Sequence, residues 1–156
     1  MPVDPSNVRA GLTWRWRHFS LFSVSEWHEV LRLRTAVFVV EQVCPYQEVD
    51  DKDPVAWHLE LHHDGELIGT LRILPPGAAY PECSLGRVAV RADYRRSGLG
   101  REVMTRALAF CDSRWPAVRL SAQLYLQPFY ESLGFTAVGA SYLEDDIPHI
   151  EMFRAP

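Results

Sequence analysis

With 156 residues, 47% of them hydrophobic and 23% charged, the chain has the length and make-up of one globular domain that needs no disulfide or structural metal to fold. Sixteen basic against twenty acidic side chains leave a net charge of −4, which argues against a general nucleic-acid binder, since phosphate contacts call for a net basic face. No apolar run approaches the roughly 20 residues of a membrane span and the first residues lack a signal-peptide core, so a cytoplasmic protein without membrane attachment is expected.

Residues 1–12 read as a loose lead-in to a single domain spanning 1–156. In TWRWRHF, Thr13, Arg15 and Arg17 alternate with Trp14, Trp16 and His18, the period of a short strand. Ser23 and Glu26 stand at capping-box spacing. After them Trp27, Val30, Leu31, Val37 and Phe38 recur at helical intervals, so a helix is predicted to about Val39. An acidic loop with Pro45 and Pro54 follows. WHLELHH and ELIGTLRIL, joined by Asp64-Gly65, form a hairpin, and SLGRVAV reads as a buried strand. From Gly98 to about Cys111 a helix is expected to bury Leu99, Val103, Met104, Ala107, Leu108 and Cys111. A strand over AVRLSAQ, a short helix in LQPFYESLG stopped by Gly134, and two closing strands complete an α+β pattern: one largely mixed sheet with helices on its faces.

The three cysteines, Cys44, Cys83 and Cys111, are odd in number and lack a Cys-x-x-Cys pair, so they read as free thiols. His58 and His62 lie on a strand, about 13 Å apart, and do not suggest a metal site.

Charge is unevenly placed. Arg87, Arg91, Arg95, Arg96, Arg101 and Arg106 centre on RRSGLGR, a glycine-rich turn between a predicted strand and helix. Such a turn is either a helix entry with a solvated basic rim or an anion site, where converging amides, the helix N-terminus and guanidinium forks meet a phosphate. Acidic residues gather in two other loops, Glu41, Glu48, Asp50, Asp51 and Asp53 in one, Glu144, Asp145 and Asp146 in the other. Acidic loops are ordinarily just solvated; two that flank a cleft would draw an ammonium group.

VAVRADYRRSGLG resembles motif A of the GNAT superfamily of acyl-CoA N-acyltransferases, with Arg95, Gly98 and Gly100 at the pattern positions. QLYLQPFYESLGF resembles a later segment of that family, matched at Tyr130, Gly134 and Phe135, with Gln123 where an asparagine is usual and Leu126 where an alanine is. VFVVEQVCPYQEVDDKD, HLEL, LSAQ and EDDIPHIEMF are similar to the ElaA-like branch, in which a glycine is usual where Asp146 stands here.

The resemblance implies a GNAT fold: a central, mostly antiparallel sheet splayed between its middle strands, with helices on both faces. It implies acetyl-CoA as co-substrate, bound by the backbone of Val88, Ala89 and Val90, by Arg95, Arg96, Ser97, Gly98, Leu99, Gly100 and Arg101 around the pyrophosphate, and near Gln123. The Val90 amide would face the thioester oxygen. Tyr130 would be the general acid at the sulfur, and Glu41, His149 or no residue at all would serve as base. The acceptor would be a primary amine, and the sheet edges of this architecture leave a homodimer open. An acyl-CoA sensor without turnover is the competing reading.

Overall fold

The computed structural model describes residues 8–156. Seven strands form one sheet: β1 (Leu12–His18), β2 (Trp57–His63), β3 (Glu66–Leu74), β4 (Cys83–Val90), β5 (Val118–Gln123), β6 (Thr136–Glu144) and β7 (Ile147–Arg154), in the spatial order β1-β2-β3-β4-β5-β7-β6. Every neighbouring pair is antiparallel except β4 and β5, which run parallel because a helical crossover joins them. That parallel pairing is short. It joins Cys83 to Val118 and Ser84 to Arg119, and beyond those two positions the strands part.

Three helices flank the sheet: α1 (Val24–Thr35), α2 (Leu99–Asp112) and the short α3 (Gln127–Glu131). The capping box forms as its spacing predicts. The Glu26 amide donates to Ser23 Oγ at 3.2 Å, and the Ser23 amide donates to the Glu26 carboxylate at 2.8 Å. Leu33 and Val37 pack on Ala89, while α2 packs on the side of Val90. Adjacent strand residues point to opposite faces, so α1 and α2 cover the sheet from opposite sides. All six residues expected on the inner face of α2 are buried, and Phe110 joins them; each such large apolar side chain contributes about 1.5–3 kcal/mol.

Two expectations change in detail. The first helix does not stay α-helical to Val39: from Ala36 to Glu41 it widens into a π-helix, whose altered register keeps Val37 buried while Phe38 and Glu41 reach a cleft. Of the residues recurring at helical intervals Val30 and Val37 are buried, Trp27, Leu31 and Phe38 are half-buried, and the inner face of α1 also carries Leu33 and the fully buried Arg34. Of the expected loose lead-in, residues 1–7 lie outside the described residues, whereas Val8 is buried in the main core and Arg9 reaches Glu102 at 3.2 Å.

His58 on β2 is buried among Trp27 and Phe22, with Nε2 3.3 Å from the Asp53 carbonyl. Burial, aided by the nearby Arg34 and Arg72 guanidiniums and opposed by Asp53, pushes it down to about 4. The unfolded chain therefore takes up this proton first, and stability present above about pH 6.5 is lost as pH falls toward 4, by roughly 3 kcal/mol. Urea midpoints of wild type and His58→Asn across pH 4–7.5 should show a shallower fall in the variant; parallel curves would contradict the assignment.

Candidate active site

Where β4 and β5 part, a cleft of about 810 Å³ opens. One wall is β4, from Ser84 to Val90; the other is built from Ser121, Gln123, Leu126, Tyr130 and His149. The Arg91 amide donates to the Ile68 carbonyl at 2.7 Å, so residues 89 and 91 turn their backbone toward β3. Strand alternation then turns the Val90 backbone, and that of Val88 two residues earlier, into the gap. The Val90 carbonyl is already engaged, accepting from Arg95 Nε at 2.8 Å. Its amide is the group left facing the cleft. Ala89 points its side chain away, into the packing under α1.

The glycine-rich turn follows β4. Gly98, at φ 82, is the N-cap of α2, and this left-handed entry is one glycine adopts without strain. A Cβ on Gly98 or Gly100 would meet no described atom within 4 Å, so protein packing does not require the bareness of Gly100. The first amides of a helix have no partner within it, and this helix presents them over open space, a fit for a pyrophosphate. Tyr94 holds the turn from below, its hydroxyl 2.7 Å from His63 Nδ1 and its carbonyl accepting from Ser97 Oγ at 2.5 Å.

The side chains expected at the phosphates have protein partners of their own. Arg95 bonds the Val90 carbonyl and pairs with Glu41 at 2.8 Å. Arg91 is taken by Asp93 and Glu66, Arg101 by Ser132, and Arg106 by Glu102. Among the described residues, Arg96 is the arginine of this turn without an ion-pair or hydrogen-bond partner. The cleft wall ends at Arg95, and residues 96–101 lie beyond its rim.

Tyr130 lies on α3, 9% exposed, packed edge-on against Phe129 and Phe135. Its hydroxyl makes no hydrogen bond to a described residue, and the residue lines the cleft. Burial, with a smaller contribution from Tyr125, pushes the phenol up to about 12. Gln123 ends β5 opposite His149 on β7. His149 Nδ1 lies 2.7 Å from the Ile147 carbonyl and Nε2 3.2 Å from Glu144 Oε2. Both partners accept, so both contacts are hydrogen bonds only when each ring nitrogen carries a proton.

The acidic loops do flank the cleft, and they touch: the Cys44 thiol donates to the Asp145 carbonyl at 3.7 Å. The first loop is not, however, a solvated anionic surface. Glu48 and Asp53 are 4% and 2% exposed. Arg34 binds Glu48 at 2.9 Å and Asp53 at 2.8 Å; Arg72 binds Asp50 at 2.7 Å and Asp53 at 3.0 Å; Arg87 binds Glu48 at 2.7 Å. Three guanidiniums thus neutralise three carboxylates, and Arg87, counted above with the phosphate-side arginines, belongs to this lattice. No composition or spacing signal marks these pairs. Among the described residues no group of three or more His, Cys, Asp and Glu could hold a metal ion, and no helix is long and apolar enough to cross a membrane.

Residues 30–155 match the family model described as an acetyltransferase (GNAT) domain. The chain is 41% identical to Protein ElaA of Escherichia coli over 147 residues, covering 92% of this chain and 96% of that one. A crystal structure of an acyl-CoA N-acyltransferase from Pseudomonas aeruginosa superposes with a TM-score of 0.88 at 45% identity, covering 92% of this chain and 99% of the other. The crystal structure of E. coli ElaA gives 0.86 at 40% identity, with the same two coverages. A sheet parted between β4 and β5, a bare amide turn beyond it, and relatives matched along nearly their whole length agree: the chain belongs to the GNAT superfamily of acyltransferases, in its ElaA-like branch, and its co-substrate is an acyl-CoA.

Proposed function

We propose that this protein is a cytoplasmic N-acetyltransferase that moves the acetyl group of acetyl-CoA to a primary amine by direct attack within a ternary complex. The observation that carries this reading is Tyr130, a buried phenol lining the cleft that the Val90 amide also faces, its hydroxyl without a hydrogen-bond partner among the described residues. The pyrophosphate would lie at the amides of residues 96–101 and the pantetheine arm along β4. The acceptor would then enter at the opposite end of β4, near Ser84, Tyr80 and Lys52.

In this reading the amine nitrogen attacks the thioester carbon, and the carbonyl electron pair moves onto an oxygen held by the Val90 amide. Collapse re-forms the carbonyl and breaks the C–S bond. The sulfur leaves toward the Tyr130 hydroxyl, takes its proton and ends as the CoA thiol, while the proton that the amine nitrogen gives up restores the phenol. A phenol held near 12 is protonated at neutral pH and so stands ready to donate.

Arg95 pairs with the Glu41 carboxylate at 2.8 Å, so in this reading Glu41 serves as base only when that partly exposed pair opens. His149 Nε2 faces Glu144 Oε2 at 3.2 Å, so in this reading the amine reaches that nitrogen only with Glu144 displaced, and water is the alternative proton acceptor. With the first acidic loop neutralised from within, the cleft is a weaker ammonium trap than the sequence suggests, and the amine enters in its neutral form. The test is release of CoA thiol from acetyl-CoA across a panel of polyamines, amino sugars, aminated antibiotics and peptides. Turnover with one chemical class supports the reading. Absence of acetyl-CoA binding by calorimetry would overturn it.

A further inference from the structure

β4 carries an irregularity that bears on how the cleft is built. Thr70 faces Ala89 and Arg72 faces Gly86, so Arg87 and Val88 together oppose the single residue Leu71. This is a bulge with one extra residue on β4. The left-handed position, at φ 51, is occupied by Arg87 and not by its neighbour Gly86. Glycine ordinarily fills such a position, because a Cβ there crowds the following carbonyl.

The Arg87 side chain supplies the counterweight. Its Nε donates to Glu48 Oε1 at 2.7 Å, and a terminal nitrogen donates to the Glu48 carbonyl at 3.1 Å and to Asp50 at 3.4 Å. The guanidinium also lies 5.5 Å from the Tyr46 ring centroid. Glu48 is itself fixed, since the same Oε1 accepts from the buried Arg34 Nε at 2.9 Å. The anchor is therefore part of a buried lattice and not a loose surface pair.

A strand that slips by one residue turns every side chain and backbone group to the other side. Without the bulge, Val88 and Val90 would turn their amides toward β3 and close them to the cleft. We propose that Arg87 is a positioning residue for acyl transfer: its bond to Glu48 holds the β4 bulge in the left-handed conformation that aims the Val88 and Val90 backbone at the acyl-CoA. The assignment rests on the reading of this cleft as the acyl-CoA site.

The test compares Arg87→Ala, Arg87→Gly, Arg87→Lys and Glu48→Gln. Two readouts are used: amide NMR shifts of Gly86, Val88 and Val90 in the ligand-free protein, and calorimetric affinity for acetyl-CoA well below each variant's Tm. Arg87→Ala loses the anchor and keeps the strain, so the three amides should shift and acetyl-CoA should bind about tenfold more weakly than to Arg87→Gly. Arg87→Gly adopts the left-handed conformation unaided and should keep near-wild-type amide shifts and affinity. Glu48→Gln should resemble Arg87→Ala, and Arg87→Lys should fall between, since a single ammonium replaces the fork. A residue that only stabilised the fold would change Tm without separating alanine from glycine in this order.

Equal affinities and equal amide shifts for Arg87→Ala and Arg87→Gly would overturn the proposal. Amide shifts that follow the expected order while wild type itself fails to bind acetyl-CoA would uphold the bulge anchor and overturn its role in acyl transfer. That outcome assigns the failure to the functional reading and not to Arg87.

Discussion

Tyr130→Phe is expected to lower kcat by at least about 10²-fold, the low end of what a positioned acid supplies, while acetyl-CoA affinity stays within about twofold of wild type. The substitution removes one oxygen and leaves the ring, whose edge contacts with Phe129 and Phe135 hold it on α3. No described residue loses a hydrogen-bond partner, so thermal stability should change by less than about 1 kcal/mol. A hundredfold loss corresponds to about 2.7 kcal/mol of transition-state stabilisation, realised only as the sulfur acquires charge.

The pH dependence separates this phenol from an ordinary one. Burial holds it near 12, so the donor is protonated throughout pH 6–10 and contributes no alkaline fall in kcat within that window. A fall centred near pH 10 that vanishes in Tyr130→Phe would contradict the assignment, as would a variant that turns over at the wild-type rate.

The second large effect is on stability. Arg34→Met should destabilise the protein by about 3–5 kcal/mol, because it leaves Glu48 and Asp53 buried with one guanidinium fewer between them. Arg34 is 1% exposed, and its bonds to Asp53 and Glu48 outweigh the burial that would otherwise favour its neutral form. Against a typical total of about 5–15 kcal/mol, that loss is a large share of the margin. Arg34→Lys keeps the charge but cannot reach both carboxylates in the same fork, so it should lie between. Urea unfolding of the three proteins measures this, and a loss below about 1 kcal/mol for Arg34→Met would show that the lattice is better solvated than its geometry indicates.

The same lattice marks where reading from residues alone stops. Strand alternation in TWRWRHF and WHLELHH, the Ser23–Glu26 cap and the apolar stripe from Leu99 to Cys111 were all legible, and each became the element expected. They depend on periods and caps that operate within a few residues, so the information is local. The glycine-rich turn was legible for a related reason: a left-handed helix entry at Gly98 is a backbone requirement written in a side chain's absence.

What the tertiary structure decided is which charges meet. Glu48 lies 14 residues from Arg34 and 39 from Arg87, and Asp53 lies 19 residues from both Arg34 and Arg72. In a sequence such residues read as solvated, because charged side chains are seldom buried and no periodicity records a partner far away. The pairing of Glu41 with Arg95 and of His149 with Glu144 was hidden in the same way, and it changes which groups stand ready for chemistry. The sequence by itself therefore determined the elements, their order and the glycine-rich turn, whereas packing of the 42–55 loop against β3 and β4 decided the electrostatics of the cleft. Long charged side chains choose partners only once the backbone has brought them together, and the cost of burying them unpaired then makes that choice binding.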